Sequence, residues 1–329
     1  MQNLCHDRDR FIVLRGHIFN EAKILKIVVI GAGNMGCVYG ANLARIGREV
    51  VFIDVWPEHV QAIDRHGLRM EGLTGTFTAH CHAATSAEGI ADADAALICV
   101  NSYSTSDAAR TARAVLKEAG FCLTLQNGVG NVEILEAELG KGRVLAGLSF
   151  QSGDLAAPGS MRHTNNGPTY LGELDGARTE RLELLNRLFA EAGVNPVLVD
   201  DIVATIWAKF VHNCGINALC AITGLRPGHI REVPELDRFQ TLIIEESVAL
   251  MRAKGIELPD ADPAAMIKEY CSHKFHRPSM MQHLDRGQRT EIDSLNGYVA
   301  RESARLGLNA PYNAALTMLI KGREHKHDS

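Results

Sequence analysis

The run Lys26-Ile27-Val28-Val29-Ile30-Gly31-Ala32-Gly33-Asn34-Met35-Gly36 decides the reading of this chain. A strand-like apolar run leads straight into G-x-G-x-x-G, which opens the apolar-periodic stretch from Met35 to Ile46. Strand, glycine turn and helix in that order are the setting in which this motif binds a dinucleotide. Gly31 can take the tight turn, and Gly33 lets the backbone approach a pyrophosphate. The unpaired N–H groups of the helix start, at Asn34 and Met35, then meet the phosphate charge. Gly36 lets the helix pack close to the strand. A second strand, Glu49 to Ile53, ends in Asp54, where a ribose-binding carboxylate belongs.

Working outward, the length of 329 residues allows two domains. A formal charge of -5 argues against a nucleic-acid binder, which needs a basic stripe. It also means that the overall field does not draw in an anion, so any such attraction is local. No apolar run reaches the length of a membrane span. The first 25 residues, with Asp7, Arg8, Asp9, Arg10 and Arg15, lack the pattern of a secretory signal and read as a tail with little part in the fold. The eight cysteines include no C-x-x-C pair, so free thiols in a reducing cytoplasm are expected. His80-Cys81-His82, Cys271-x-His273-x-x-His276 and His325-x-His327 lack the second half of a structural zinc spacing, so they read as surface histidines and no metal is expected.

Residues 26–199 alternate short apolar runs with helical patterns. Pro57 to His66 reads as a helix with Pro in its first turn, and residues 68–83 as short strands. Ala95 to Val100, Phe121 to Leu125 and Arg143 to Phe150 read as further strands, with a helix from Ser106 to Lys117. This alternation predicts a Rossmann-type, doubly wound parallel sheet of the α/β class. Ligands of such a sheet lie beyond the carboxyl ends of the strands, which groups Gly31, Asn101 and Asn127 in one crevice. From residue 200 to 325 the pattern is helical, over 202–222, 235–254, 279–307 and 311–322. The expected organisation is therefore a tail (1–25), a dinucleotide-binding domain (26–199) and a mostly α-helical domain (200–325). A homodimer through the helical domain is compatible with this plan.

Lys209, Asn213 and Asn217 fall at i, i+4 and i+8, which puts an ammonium and two carboxamides on one stripe of a helix. Ile206, Trp207, Phe210, Val211 and Ile216 flank them, so the helix is expected to be largely buried. Buried asparagines need hydrogen-bond partners. A polar seam between helices would supply them, and so would a site where the lysine donates a proton and the amides hold a substrate. Further on, Ser279-Met280-Met281-Gln282 begins a helix and Glu291 follows. Ser279 suits a helix N-cap as well as a ligand contact, and Glu291 suits a solvated helix carboxylate as well as a site.

The segments K-I-V-V-I-G-A-G-N-M-G, L-Q-N-G-V-G, W-A-K-F-V-H-N-C-G-I-N-A-L, S-M-M-Q and R-T-E-I-D-S-L-N-G together resemble the ketopantoate reductase family (2-dehydropantoate 2-reductases) across residues 26–322. The resemblance implies a nicotinamide-dependent oxidoreductase that reduces a small 2-oxo acid to the D-2-hydroxy acid. Ketopantoate is the first candidate and a branched or aromatic 2-oxo acid the alternative. A nicotinamide-binding sensor without turnover is the distant one. By the same resemblance Lys209 is the general acid, and Glu291 is the carboxylate that contacts a substrate hydroxyl and orients it. Asn213, Asn217 and Ser279 are substrate ligands, with His276 beside them. Asn127 is where cofactor and substrate meet, and Asn101 lies on the cofactor side.

Four positions depart from the family pattern. Asn101 stands where lysine is frequent, His276 where asparagine is usual, and His283 where aspartate is usual. Asp54-Val55 replaces the small residue and arginine typical of NADP(H)-using members. A carboxylate about 4 Å from a 2′-phosphate charge costs ~4 kcal/mol at an effective dielectric near 20. NAD(H) is therefore the expected cofactor, although NADP(H) is the usual one in the family.

Overall fold

The computed structural model describes residues 11–14, 17–20, 25–257 and 262–325. Much of the expected tail, together with Cys5 and His327, lies outside the described residues. Within the tail, β1 (Phe11–Leu14) and β2 (His17–Asn20) pair as a two-stranded antiparallel sheet.

From Lys26 the chain builds one ten-stranded sheet. Its strands are β3 (Lys26–Ile30), β4 (Glu49–Ile53), β5 (Leu68–Gly72), β6 (Phe77–Ala79), β7 (His82–Ala84), β8 (Ala93–Ile98), β9 (Leu116–Thr124), β10 (Val144–Ala157), β11 (Ser160–Glu173) and β12 (Pro196–Leu198). The order is β6-β5-β11-β10-β9-β8-β3-β4-β7, with β12 beside β11. The stretch from β10 through β9, β8, β3 and β4 to β7 is parallel throughout.

Strands that alternate with helices are covered on both faces, and their side chains divide accordingly. Ile27 and Val29 join one core with Phe52, Leu97 and Leu123. Val28 and Ile30 join the other with Ile53, Ala96 and Ile98. Helices α1 (Asn34–Arg45), α2 (Pro57–His66) and α5 (Glu180–Glu191) contribute to the first core. Helices α3 (Thr105–Val115) and α4 (Asn131–Leu139) contribute to the second.

The sheet is Rossmann-like and mostly parallel, with two antiparallel pairings, β5 with β6 and β10 with β11. β10 and β11 form a long antiparallel hairpin turning at Pro158-Gly159, where Gly159 has φ +70°. Proline followed by a glycine at positive φ is what a type II turn asks for. The strand expected to stop at Phe150 thus runs on to Ala157.

The helical part is α6 (Ile202–Thr223), α7 (Pro227–Ile230), α8 (Pro234–Ala253), α9 (Pro263–Ser272), α10 (Ser279–Asp285), α11 (Asn296–Arg305) and α12 (Pro311–His325). Its core joins Trp207, Phe210 and Val211 of α6 to Ile243, Ile244 and Val248 of α8 and to Leu316 and Ile320 of α12. The helix expected over 279–307 is broken. α10 stops just before Gly287, which sits at φ +64°, and a short 3-10 turn over Ile292–Ser294 precedes α11. Glu291 therefore lies on an irregular turn and is not a helix carboxylate.

The chain divides into two units. One holds the described residues up to Val100 with Ser104–Gln126 and Val132–Ile202. The other holds Asn101–Tyr103, Asn127–Asn131 and the chain from Val203 onward. The loops after β8 and β9 thus belong with the helices. Among the described residues seven cysteines are free, and burial holds their thiols well above the usual range: Cys81, Cys99, Cys220 and Cys271 are pushed up to about 12. No helix among the described residues is long and apolar enough to cross a membrane.

Candidate active site

In the sheet unit the glycine turn is shaped by close approach. Gly31 has φ +95°, and a Cβ there would come within 2.9 Å of the Cys99 backbone. A Cβ on Gly36 would lie 1.8 Å from the Gly31 carbonyl oxygen, so this glycine is demanded by the turn itself more than by the strand beneath. At Gly33 a Cβ would meet no protein atom within 4 Å. Internal packing therefore does not require a glycine at that position, whereas a ligand close to the backbone would. Gly33 is also the N-cap of α1 and offers no side-chain bond to the helix, so the first-turn N–H groups face outward without a cap. Asn34 Oδ1 accepts from the Leu155 amide at 3.1 Å, and Met35 Sδ lies 3.8 Å from the Ser149 hydroxyl.

Asp54 is fixed by the same turn. Its Oδ2 accepts from the Ala32 amide at 2.6 Å, and Oδ1 accepts from the Trp56 amide at 3.0 Å. Each oxygen keeps a lone pair for a ribose hydroxyl. His59 braces the turn from below. Its Nδ1 accepts from the Gly159 amide at 3.0 Å, which leaves the proton on Nε2 to donate to the Ala32 carbonyl at 2.9 Å. Burial lowers the pKa of His59, in keeping with this neutral tautomer. Uncapped N–H groups, an open approach at Gly33 and a fixed carboxylate fit a dinucleotide. Sequence reading passed over His59, since a single histidine in a helix carries no signal of what it braces.

In the helical unit α6 carries Lys209, Asn213 and Asn217 on one stripe, as its apolar flanks require. Lys209 is half-buried, and desolvation pulls its ammonium down to about 8, with Glu291 opposing the shift. Desolvation likewise raises the Glu291 carboxyl above its ordinary range. Hydrogen bonds from the Ser102 amide and hydroxyl and from the Asn127 side chain work the other way, as does the Lys209 charge. The Ser102 hydroxyl lies 3.3 Å from Glu291 Oε1 and 2.9 Å from the Asn127 carbonyl oxygen. Asn131 Nδ2 donates to that same carbonyl at 3.0 Å. Gly128 has φ +84°, which brings the loop to within van der Waals reach of Ser294.

Lys209, Glu291, Asn127 and Ser102 are thus brought together. Ser102 was not expected from the sequence, although its position in a loop past a strand end was the available signal. Asn217 is buried and Asn213 half-buried. Asn101 is exposed, and its Nδ2 donates to the Tyr103 hydroxyl at 2.8 Å. Ser279 is the first residue of α10, with Pro278 at the N-cap position, so it caps nothing and is exposed. His276 is exposed as well, and its imidazole is held below the usual value by partial burial and by the charges of Lys274 and Arg226. An ammonium near 8 beside a half-buried carboxylate can give up or take a proton near neutral pH, which is the capacity of a general acid–base group.

The ketopantoate reductase PanE/ApbA model matches residues 27–176, and the model of that family's C-terminal part matches residues 201–324. The chain belongs to the ketopantoate reductase family. It is an oxidoreductase of the 2-dehydropantoate 2-reductase type, working with a nicotinamide cofactor on a small-molecule substrate. It is 32% identical over 300 residues to the 2-dehydropantoate 2-reductase of Pyrococcus horikoshii, covering 91% of this chain and 98% of that one. The Archaeoglobus fulgidus enzyme of the same name is 30% identical, over 92% of this chain and 99% of the relative. Among solved structures, a PanE/ApbA family ketopantoate reductase from Ralstonia eutropha matches at TM-score 0.85 and 35% identity, over 93% and 100% of the two chains. A D-mandelate dehydrogenase solved with NADH and anilino(oxo)acetate matches at TM-score 0.84 and 25% identity, over 93% and 100%.

Proposed function

We propose that this protein reduces a small 2-oxo acid to the D-2-hydroxy acid, with Lys209 as proton donor and NADH as preferred cofactor. The observation that carries this reading is the Lys209 ammonium set in the field of the Glu291 carboxylate at a desolvated position: desolvation brings the ammonium down to about 8 and Glu291 opposes that shift. A reduced nicotinamide, when bound, supplies hydride to the carbonyl carbon. Charge then gathers on the carbonyl oxygen, where the Lys209 ammonium stabilises it and passes on its proton. Glu291 favours the protonated amine and, held by Ser102 and Asn127, fixes its direction. Asn213, Asn217 and Ser279 offer amide and hydroxyl donors to the carboxylate without adding charge.

Gly31, Gly33, Gly36 and the start of α1 would hold the pyrophosphate, and Asp54 the ribose. The fixed Asp54 carboxylate supports NADH, because a 2′-phosphate would face its charge. Even ~1.4 kcal/mol of that repulsion is tenfold in binding. The D-mandelate dehydrogenase solved with NADH lends support.

Ketopantoate is the first substrate to try, on the names of the relatives. A different 2-oxo acid is the second reading, supported by His276 and His283 at positions where the family has other residues. The test is kcat/KM for ketopantoate and a panel of branched and aromatic 2-oxo acids with each reduced cofactor. Absence of turnover across the panel overturns the reading, and tighter binding of NADPH than NADH overturns the cofactor preference.

A further inference from the structure

Three turns of the helical unit carry basic groups that the proposed proton transfer does not use. His212 stands on α6 three positions after Lys209, on the same side of the helix. Its ring meets the edge of Tyr270, with centroids 5.0 Å apart at 77°. Lys274 Nζ lies over the same Tyr270 ring, 4.6 Å from its centroid. The loop entering α7 is closed against this segment, with the Gly228 amide donating to the Lys274 carbonyl at 2.8 Å. That closure brings in Arg226, whose Nη1 sits 3.8 Å from Met281 Sδ, two residues beyond Ser279. Arg226 and Lys274 both bear on His276, and Lys209, His276 and Lys274 all bear on His212.

What Arg226, Lys274 and His276 lack is a counter-charge. The nearby carboxylates are engaged elsewhere: Glu269 with Arg231 at 3.4 Å and with His273 at 3.5 Å, and Asp285 with Arg277. Among the described residues no ion pair joins Arg226, Lys274 or His276. Arg226 is half-buried with a thioether sulfur as its contact, which leaves most of a five-donor fork unanswered. His212 Nε2 is buried and has no hydrogen-bond partner. A guanidinium fork of this kind matches the planar oxygens of a carboxylate or phosphate. In a chain of net charge -5, such a cluster supplies attraction for an anion that the overall field does not.

Resting on the reductase reading, we infer that Arg226, with Lys274 and His276, takes a second anionic group at the far end of the 2-oxo acid, a carboxylate or a phosphate ester. The common 2-oxo carboxylate is served by the amides and the Ser279 hydroxyl. A neutral far end, as in ketopantoate, leaves the guanidinium unmatched.

The experiment compares 2-oxo acids of equal length, with and without the second charge: 2-oxoglutarate against 2-oxovalerate, and 2-oxoadipate against 2-oxohexanoate. Phosphohydroxypyruvate against hydroxypyruvate forms the phosphate arm. The expected result is kcat/KM at least about tenfold higher for the charged member of a pair, the size of a charge-assisted hydrogen bond. The arm with the larger ratio identifies the anion. That ratio falls toward one in Arg226→Gln and, in part, in Lys274→Gln, and it shrinks as salt is raised. Equal or better turnover of the neutral members by the unmodified protein overturns the inference, whatever the variants do. Arg226→Gln lowering both members of a pair alike overturns it too, because the guanidinium then serves the shared carboxylate or the fold. Turnover of ketopantoate and monoacids alone sinks only the second-anion site. No turnover of any acid with either cofactor sinks the reductase reading and this inference with it.

Discussion

Around the glycine turn each polar side chain is tied to the backbone: Asp54 to Ala32 and Trp56, His59 to Ala32 and Gly159, Asn34 to Leu155. Around Lys209 the charged groups are instead held out of water and against one another. Lys209 is drawn down to about 8, Glu291 is raised, and His212 is pulled down to about 4, mainly by desolvation. The first region presents a rigid shape whose polar groups are fixed by backbone partners. The second presents an ammonium, Lys209, whose protonation changes near neutral pH. A ligand that must be gripped and a proton that must move call for these two different treatments.

The contrast can be broken by single substitutions. Lys209→Ala removes the poised group and leaves the turn intact. We expect kcat/KM for 2-oxo acid reduction to fall by roughly 10²- to 10⁴-fold, the usual worth of a positioned acid. Cofactor affinity, followed by fluorescence titration, should stay within about twofold. Undiminished turnover would remove the lysine from the chemistry.

Asp54→Asn acts on the rigid side. It removes the charge while keeping size, so the NADPH-to-NADH ratio of kcat/KM should rise by on the order of ten- to a hundredfold. A ratio that does not move would mean that the carboxylate does not face the 2′ position.

Glu291→Gln sharpens the other side through pH. The Lys209 ammonium is the active form in reduction, so kcat/KM falls as pH rises through about 8. Glu291 holds that value up, so removing its charge moves the falling limb to lower pH. Activity at a fixed pH on that limb drops about tenfold for each unit moved. A limb that moves upward would contradict the arrangement.

The two regions were also unequally legible. The glycine turn and the strand behind it follow from local chemistry, since Gly31 and Gly36 leave no room for another residue. The Lys209 stripe followed from helical spacing within an apolar segment. The roles of Ser102, Arg226 and Lys274 did not, because nothing local reveals which distant loop a serine or a basic side chain meets. The break after Asp285 was hidden for a related reason. Apolar residues on both sides of Gly287 keep a helical rhythm, although the chain leaves the helix there. The β10–β11 hairpin carried a readable signal in Pro158-Gly159, but its polar tip masked the strands beyond Phe150.

The free cysteines have a use of their own. Cys37, Cys81, Cys99 and Cys122 lie in the sheet unit, while Cys214, Cys220 and Cys271 lie in the helical one. With their thiols held so far toward the unreactive form, the buried members, Cys37 and Cys122 of the first set and Cys214, Cys220 and Cys271 of the second, meet an alkylating dye only when the surrounding structure loosens. The chain therefore carries two internal clocks, and mass mapping of the adducts reads which half of the molecule opens first.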